Sequence, residues 1–162
     1  MSKRITIITL CIAVFGTLCG CGESSSVTLR DDVPTIDISA AIDSAITSDG
    51  LITVDESYIL GRMKIDTSKC SDYIVRITSI GTAIDEYGIF RTADEAAAAE
   101  IASQAETYLE RYLASWMEEY RPEEKPKLLA AKVHTVGVYV FYSVMSETDS
   151  DAALSALNDL IN

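Results

Sequence analysis

The sequence predicts an α+β domain built on an antiparallel sheet. Two observations carry that prediction. Two pairs of β-branched, strand-like runs are each broken by a short turn. Between and around them lie segments whose apolar residues recur at three and four, the spacing of a helix face. The expected architecture is a single domain over 37–162: about four strands in two hairpins, packed against one long and one or two short helices.

The elements follow in chain order. Ile38, Ile42, Ala45 and Ile46 share one face of a short helix, with Asp37 or Ser39 as its N-cap and Asp49-Gly50 as its end. Asp55 caps a helical turn from Glu56 to Leu60 that Gly61 stops. Tyr73–Ile80 and Ala83–Phe90, separated at Gly81-Thr82, form the first hairpin. Thr92-Ala93-Asp94-Glu95 reads as a capping box, in which the Thr92 hydroxyl and the Glu95 carboxylate satisfy each other's backbone amides. The long helix it opens runs to Tyr120, because Pro122 turns Arg121 away from helical geometry.

Along that helix Ile101, Ala105, Tyr108, Leu109, Tyr112, Leu113, Trp116, Met117 and Tyr120 form an apolar stripe, while Glu100, Glu106, Glu110, Arg111, Glu118 and Glu119 face away. An aromatic stripe suits a ligand groove, but at this spacing it is first of all core packed on a sheet. Ala131–Thr135 and Val138–Met145 make the second hairpin, with its turn at Val136-Gly137. Its second arm is apolar on both faces, as a central strand requires. Asp149 or Ser150 caps a last helix that buries Ala153, Leu154, Leu157, Leu160 and Ile161.

The N-terminus carries a separate message. Lys3-Arg4 precedes an apolar run from Ile5 to Leu18, about 14 residues, which is the length of a signal-peptide core and short of the roughly 20 that span a bilayer. Leu18-Cys19-Gly20-Cys21 then sets a large aliphatic, two small residues and a cysteine in lipobox order. Cleavage is expected after Gly20, making 1–20 a signal peptide and Cys21 the lipidation site. Two or more acyl chains, at about 0.8 kcal/mol per buried methylene, would anchor the chain stably outside the cytoplasmic membrane. Residues 21–36, polar and without periodicity up to Pro34, read as a flexible tether.

The full chain holds 13 Lys and Arg against 25 Asp and Glu; without Lys3 and Arg4 the balance is 11 against 25, a charge of −14. That field repels phosphate backbones and makes nucleic acid an unsuitable partner. Of four cysteines, Cys11 and Cys19 leave with the signal peptide and Cys21 takes the lipid. Cys70 then stands as the one thiol of the domain, which excludes an internal disulfide.

Chemistry is sparse. His134 is the only histidine, and Cys70 lies in a polar turn, Ser68–Ser71, with no oxyanion motif beside it, so a Cys70/His134 nucleophile pair is a weak reading. Asp31-Asp32, Asp85-Glu86, Glu118-Glu119, Glu123-Glu124 and Asp149-Ser150-Asp151 lack the spacing of a calcium loop and read as solvated acidic faces. No phosphate loop, dinucleotide fingerprint, zinc-type cysteine pair or nucleophile elbow occurs. No catalytic, cofactor or metal-binding residue is assigned.

In the order of its features the sequence resembles the bacterial family of the domain of unknown function 4358. The segments that carry the resemblance are Asp72–Val75, Gly81–Phe90, the long helix from Thr92 to Tyr120, and Gly137–Val140, within a span from about Ile38 to Ile161. The resemblance implies a small lipoprotein of Gram-positive bacteria with a single α+β domain; it brings no activity and no catalytic residues. The leading functional expectation is a non-enzymatic binding or adaptor module of the cell envelope, its partner an envelope protein or wall component. It predicts an exposed aromatic patch around Trp116 to Tyr120. A small-ligand or cation-binding domain, with a pocket at Tyr108, Tyr112 or Trp116, is the alternative, and a small hydrolase the third.

Overall fold

The computed structural model describes residues 29–162 apart from positions 80, 82 and 118. The expected signal peptide, Cys21 and most of the expected tether lie outside the described residues. One sheet of five antiparallel strands organises the domain: β1 (Leu51–Thr53), β2 (Cys70–Thr78), β3 (Glu86–Thr92), β4 (Lys132–Val136) and β5 (Tyr139–Val144), in the order β1-β2-β3-β5-β4. The α+β class stands, and both hairpins fall where the strand-like runs and their turns placed them. The strand count is five rather than four because the three-residue β1 is too short to show a period. As its two apolar faces required, β5 lies inside the sheet, between β3 and β4, and is buried along its whole length.

Helices cover both faces. On one side α1 (Thr35–Ala45) and α5 (Glu147–Ile161) pack over Ile74, Tyr87, Ile89, Tyr139 and Phe141. On the other, α3 (Glu95–Ala114) and α4 (Lys125–Ala130) join a turn after α2 (Glu56–Tyr58) over Val75, Phe90, Val140, Tyr142 and Val144. Strand alternation divides the two sets: Ile89 pairs with Phe141 toward α5, and Gly88 with Tyr142 toward α3. Gly88 is required there, since a Cβ on it would lie 2.3 Å from Cε1 of the fully buried Tyr142.

Several boundaries differ from the sequence reading, each for a local reason. Thr92 does not open a capping box. As the last residue of β3 its hydroxyl donates to the Val138 carbonyl (2.9 Å), and Asp94 caps α3 by accepting from the Ala97 amide (2.8 Å). The helix ends at Ala114, before Tyr120: Ser115 closes it, Arg121 turns at φ 53°, and Lys125–Ala130 then makes a helix of its own.

Neither Asp37 nor Ser39 caps α1. It starts after Pro34 with the Thr35 amide donating to Asp72 (2.8 Å), and Ala45 lies exposed while Ile38 and Ile42 are buried. Gly61 does not stop the second helix, which widens into a π-helical turn, Ile59–Met63, and ends at left-handed Lys64 (φ 62°). Ser146, ahead of Asp149 and Ser150, caps α5 through the Asp149 amide (3.1 Å). Finally, the packed chain reaches back of residue 36. Val33 is buried, its carbonyl accepts from Tyr139 Oη (2.9 Å), and the Arg30 amide donates to the Ile161 carbonyl.

Candidate functional site

The acidic pairs are not all solvated faces. Asp85, Glu86 and Asp149 are each less than a tenth exposed, because strand and helix packing carry them inward. Asp149 accepts from the Thr47 amide (2.7 Å) and from the Thr47 and Ser48 hydroxyls, tying the loop after α1 to the start of α5. Burial pushes its carboxyl up, and these hydrogen bonds outweigh burial and leave it below the usual carboxylate range. Asp85 is held by Lys127 Nζ (2.9 Å), which also binds Glu124 (3.0 Å). Together these groups line a polar cleft of about 360 Å³ in which each buried charge already has its partner. The cleft fastens the fold.

Glu86 is different. It enters at the start of β3 facing α3, and one oxygen accepts from Tyr108 Oη at 2.8 Å. Tyr142 lies beside it outside hydrogen-bonding geometry, and the Tyr142 hydroxyl is buried with no partner. Burial raises the Glu86 carboxyl to about 7, against the Tyr108 and Tyr142 hydroxyls and the charge of Arg62, which favour the charged form. The same carboxylate adds to burial in raising the phenols of Tyr58 and Tyr112, the latter to about 12.

Above this carboxyl the surface opens. The π-helical turn swings Arg62 against α3, where its guanidinium carbon lies 6.0 Å from the Tyr58 ring centre and 5.9 Å from that of Tyr112, within cation–π range. Arg111, one turn before the end of α3, donates to the Met63 carbonyl and so fastens the π-helical turn to the helix. Arg62, Tyr108, Arg111, Tyr112 and Ser115 line a notch of about 240 Å³. π-helical turns recur at functional positions, and here the turn is what aims Arg62. Past the notch, Tyr112 stacks toward the half-buried Trp116 (6.5 Å), and Met117 and Tyr120 are more than half exposed.

The aromatic stripe is core at Tyr108, while half-buried Tyr112 lines the notch and half-buried Trp116 packs beside Tyr112. The notch has arginines where a cation site would need carboxylates, and among the described residues no three His, Cys, Asp or Glu side chains converge on a metal position. Sequence reasoning missed Arg62 and Glu86. An unforeseen π-helical turn aims the first, and the second sat inside an acidic pair.

The Cys70/His134 pairing fails on geometry. Cys70 packs with the α3-side core and burial pushes its thiol up to about 12. His134, on β4, faces the Phe141 ring and a depression beside α5. Its imidazole titrates below the usual value, first through burial and then through Lys132. No described helix is long and apolar enough to cross a membrane.

These features define the class: a single α+β domain with helices on both faces of an antiparallel sheet, and an arginine–tyrosine notch on one face. Residues 50–145 match the Domain of unknown function (DUF4358), and the chain belongs to that family. The match runs from the start of β1 to the residue after β5, so it contains every residue of the notch and Glu86, whereas α1 and α5 lie outside it. No curated protein and no solved structure matches the chain.

Proposed function

We propose that this chain is a lipid-anchored, extracytoplasmic binding module of the cell envelope. In this reading Cys21 holds it to the outer face of the cytoplasmic membrane, and the π-helical turn with the C-terminal half of α3 forms its binding face. The observation that carries the binding assignment is the concentration on one face of Arg62 against Tyr58 and Tyr112, with Met117 and Tyr120 exposed just beyond. Arginine and aromatic side chains supply most of the energy of protein interfaces. The lipobox Leu18–Cys21 and the apolar run before it support the location.

Crosslinking intact cells and capturing the protein from the membrane fraction tests both halves, with Cys21→Ala as control. The expected result is a stoichiometric envelope partner that disappears when Cys21→Ala releases the domain from the membrane. Retention of the Cys21→Ala form in the membrane fraction would contradict the anchor.

A second reading, a domain that takes a small ligand, is favoured by the notch itself. At about 240 Å³ it lies just below the range of drug-sized pockets and suits a small molecule or a single side chain. Clean capture with no partner would move the weight to this reading.

A further inference from the structure

The charges at the notch run against those of the molecule. The chain carries 25 acidic and 13 basic side chains, and four of its described bases are ion-paired with acids: Arg30 with Asp32, Lys69 with Glu100, Arg76 with Asp43, Lys127 with Asp85 and Glu124. Arg62 and Arg111 face one cavity, no carboxylate lines it, and neither makes an ion pair with a described residue. Arg62 meets instead two tyrosine rings, which orient its guanidinium; the Tyr58 hydroxyl and the buried Glu86 attract it from below, and five N–H donors are more than these contacts use. Arg111 spends donors on the Met63 and Thr107 carbonyls and so is held rigidly beside it. Ser115 and Tyr112 add hydroxyls to the lining.

We propose that this notch binds the carboxylate of an organic acid, with Arg62 as its principal ligand and Arg111, Ser115 and Tyr112 as supporting donors. The inference rests on the small-ligand reading above. A planar guanidinium matches a carboxylate fork in two parallel hydrogen bonds. A monoanion fits better than a phosphate dianion, because the surrounding net charge of −12 repels each added negative charge while only two local cations compensate. The ring of Tyr112 favours an acid whose carboxylate adjoins an apolar group. Such a carboxylate is carried either by a free small acid or by the C-terminus of a peptide.

Trp116 is the one tryptophan and lies 6.5 Å, ring to ring, from Tyr112, so its fluorescence reports on the site. The full chain, in detergent micelles, is titrated with phenylacetate and with phenylacetamide, then with the tripeptide Ala-Ala-Ala and its C-terminal amide. The acid of one pair should bind about tenfold or more tightly than its amide, and which pair shows the difference identifies the source of the carboxylate. Arg62→Gln should weaken that binding about tenfold or more while the unfolding temperature is unchanged, and Arg62→Lys should restore part of it. If Arg62→Gln fails to fold, Arg111→Gln serves as the second variant, with weaker binding again expected.

Equal binding of acid and amide, wild-type affinity in the glutamine variants, or no binding of any probe at about 20 mM would overturn the proposal. Equal binding of acid and amide would refute the carboxylate site while leaving the small-ligand reading intact, whereas no binding of any probe would count against both.

Discussion

Replacing Glu86 with Gln should remove a specific pH dependence from the stability of this domain. In the unfolded chain the carboxyl titrates near its ordinary 4.5; in the fold burial lifts it to about 7. Below pH 4.5 the group is protonated in both states and costs nothing. Between 4.5 and 7 only the folded chain keeps the proton, so stability falls as pH rises; above about 7 the penalty is constant. The difference between the two values is worth about 3 kcal/mol, a large share of a small domain's net stability. Glutamine preserves the shape and can still accept from Tyr108 Oη, but it does not titrate.

Urea unfolding followed by Trp116 fluorescence should show the wild type losing about 3 kcal/mol more than Glu86→Gln between pH 4.5 and pH 8.5. Taking the difference between the two proteins cancels the repulsion among the remaining acids, which both share. Parallel stability profiles for the two would refute the reasoning and mean that water reaches the Glu86 carboxyl.

Four further outcomes follow from particular contacts. Gly88→Ala forces a Cβ into the buried Tyr142 ring and should cost about 1–3 kcal/mol or more in unfolding free energy; an unchanged midpoint would mean the ring moves freely. Tyr142→Phe removes a buried hydroxyl that has no partner and should leave stability unchanged or raise it, and a loss above about 1 kcal/mol would show that the hydroxyl is bonded. Asp149→Asn should destabilise by about 1–3 kcal/mol at pH 7. Because the native carboxyl is held below its usual range, the gap between variant and wild type should close as the pH falls through the native value, a convergence measurable by thermal unfolding. With its thiol pushed up to about 12, Cys70 should resist alkylation in the folded protein at pH 8 and react on unfolding, as read by mass spectrometry of its peptide.

What could be read from the residues alone was whatever repeats with a period. The β-branched run Tyr73–Ile80, the run Val138–Met145 apolar on both faces, and the three-and-four spacing from Ile101 to Leu113 are imposed by burial of one face or two, so strands β2 to β5, the body of α3 and the interior position of β5 were all legible. Features decided by a single contact were not. Thr92 has the chemistry of a cap, yet its place at the end of β3 gives its hydroxyl to Val138 instead. Gly61 could have ended a helix, and the chain widened past it to Lys64. The site suffered most from this limit. Tyr108 and Tyr112 were visible as a stripe, but Arg62 joins them through a π-helical turn with no sequence period, and Glu86 is set apart from other acids only by the side of β3 on which it falls.

The proposed binding face, the π-helical turn and the end of α3, is probed most directly by crosslinking from separate positions in living cells. A photoreactive side chain is placed at exposed Met117, and separately at exposed Asp159 on α5, in the full chain. A discrete adduct from position 117, absent from position 159, is expected. An adduct from 159 alone, or from neither position, would contradict the proposed face.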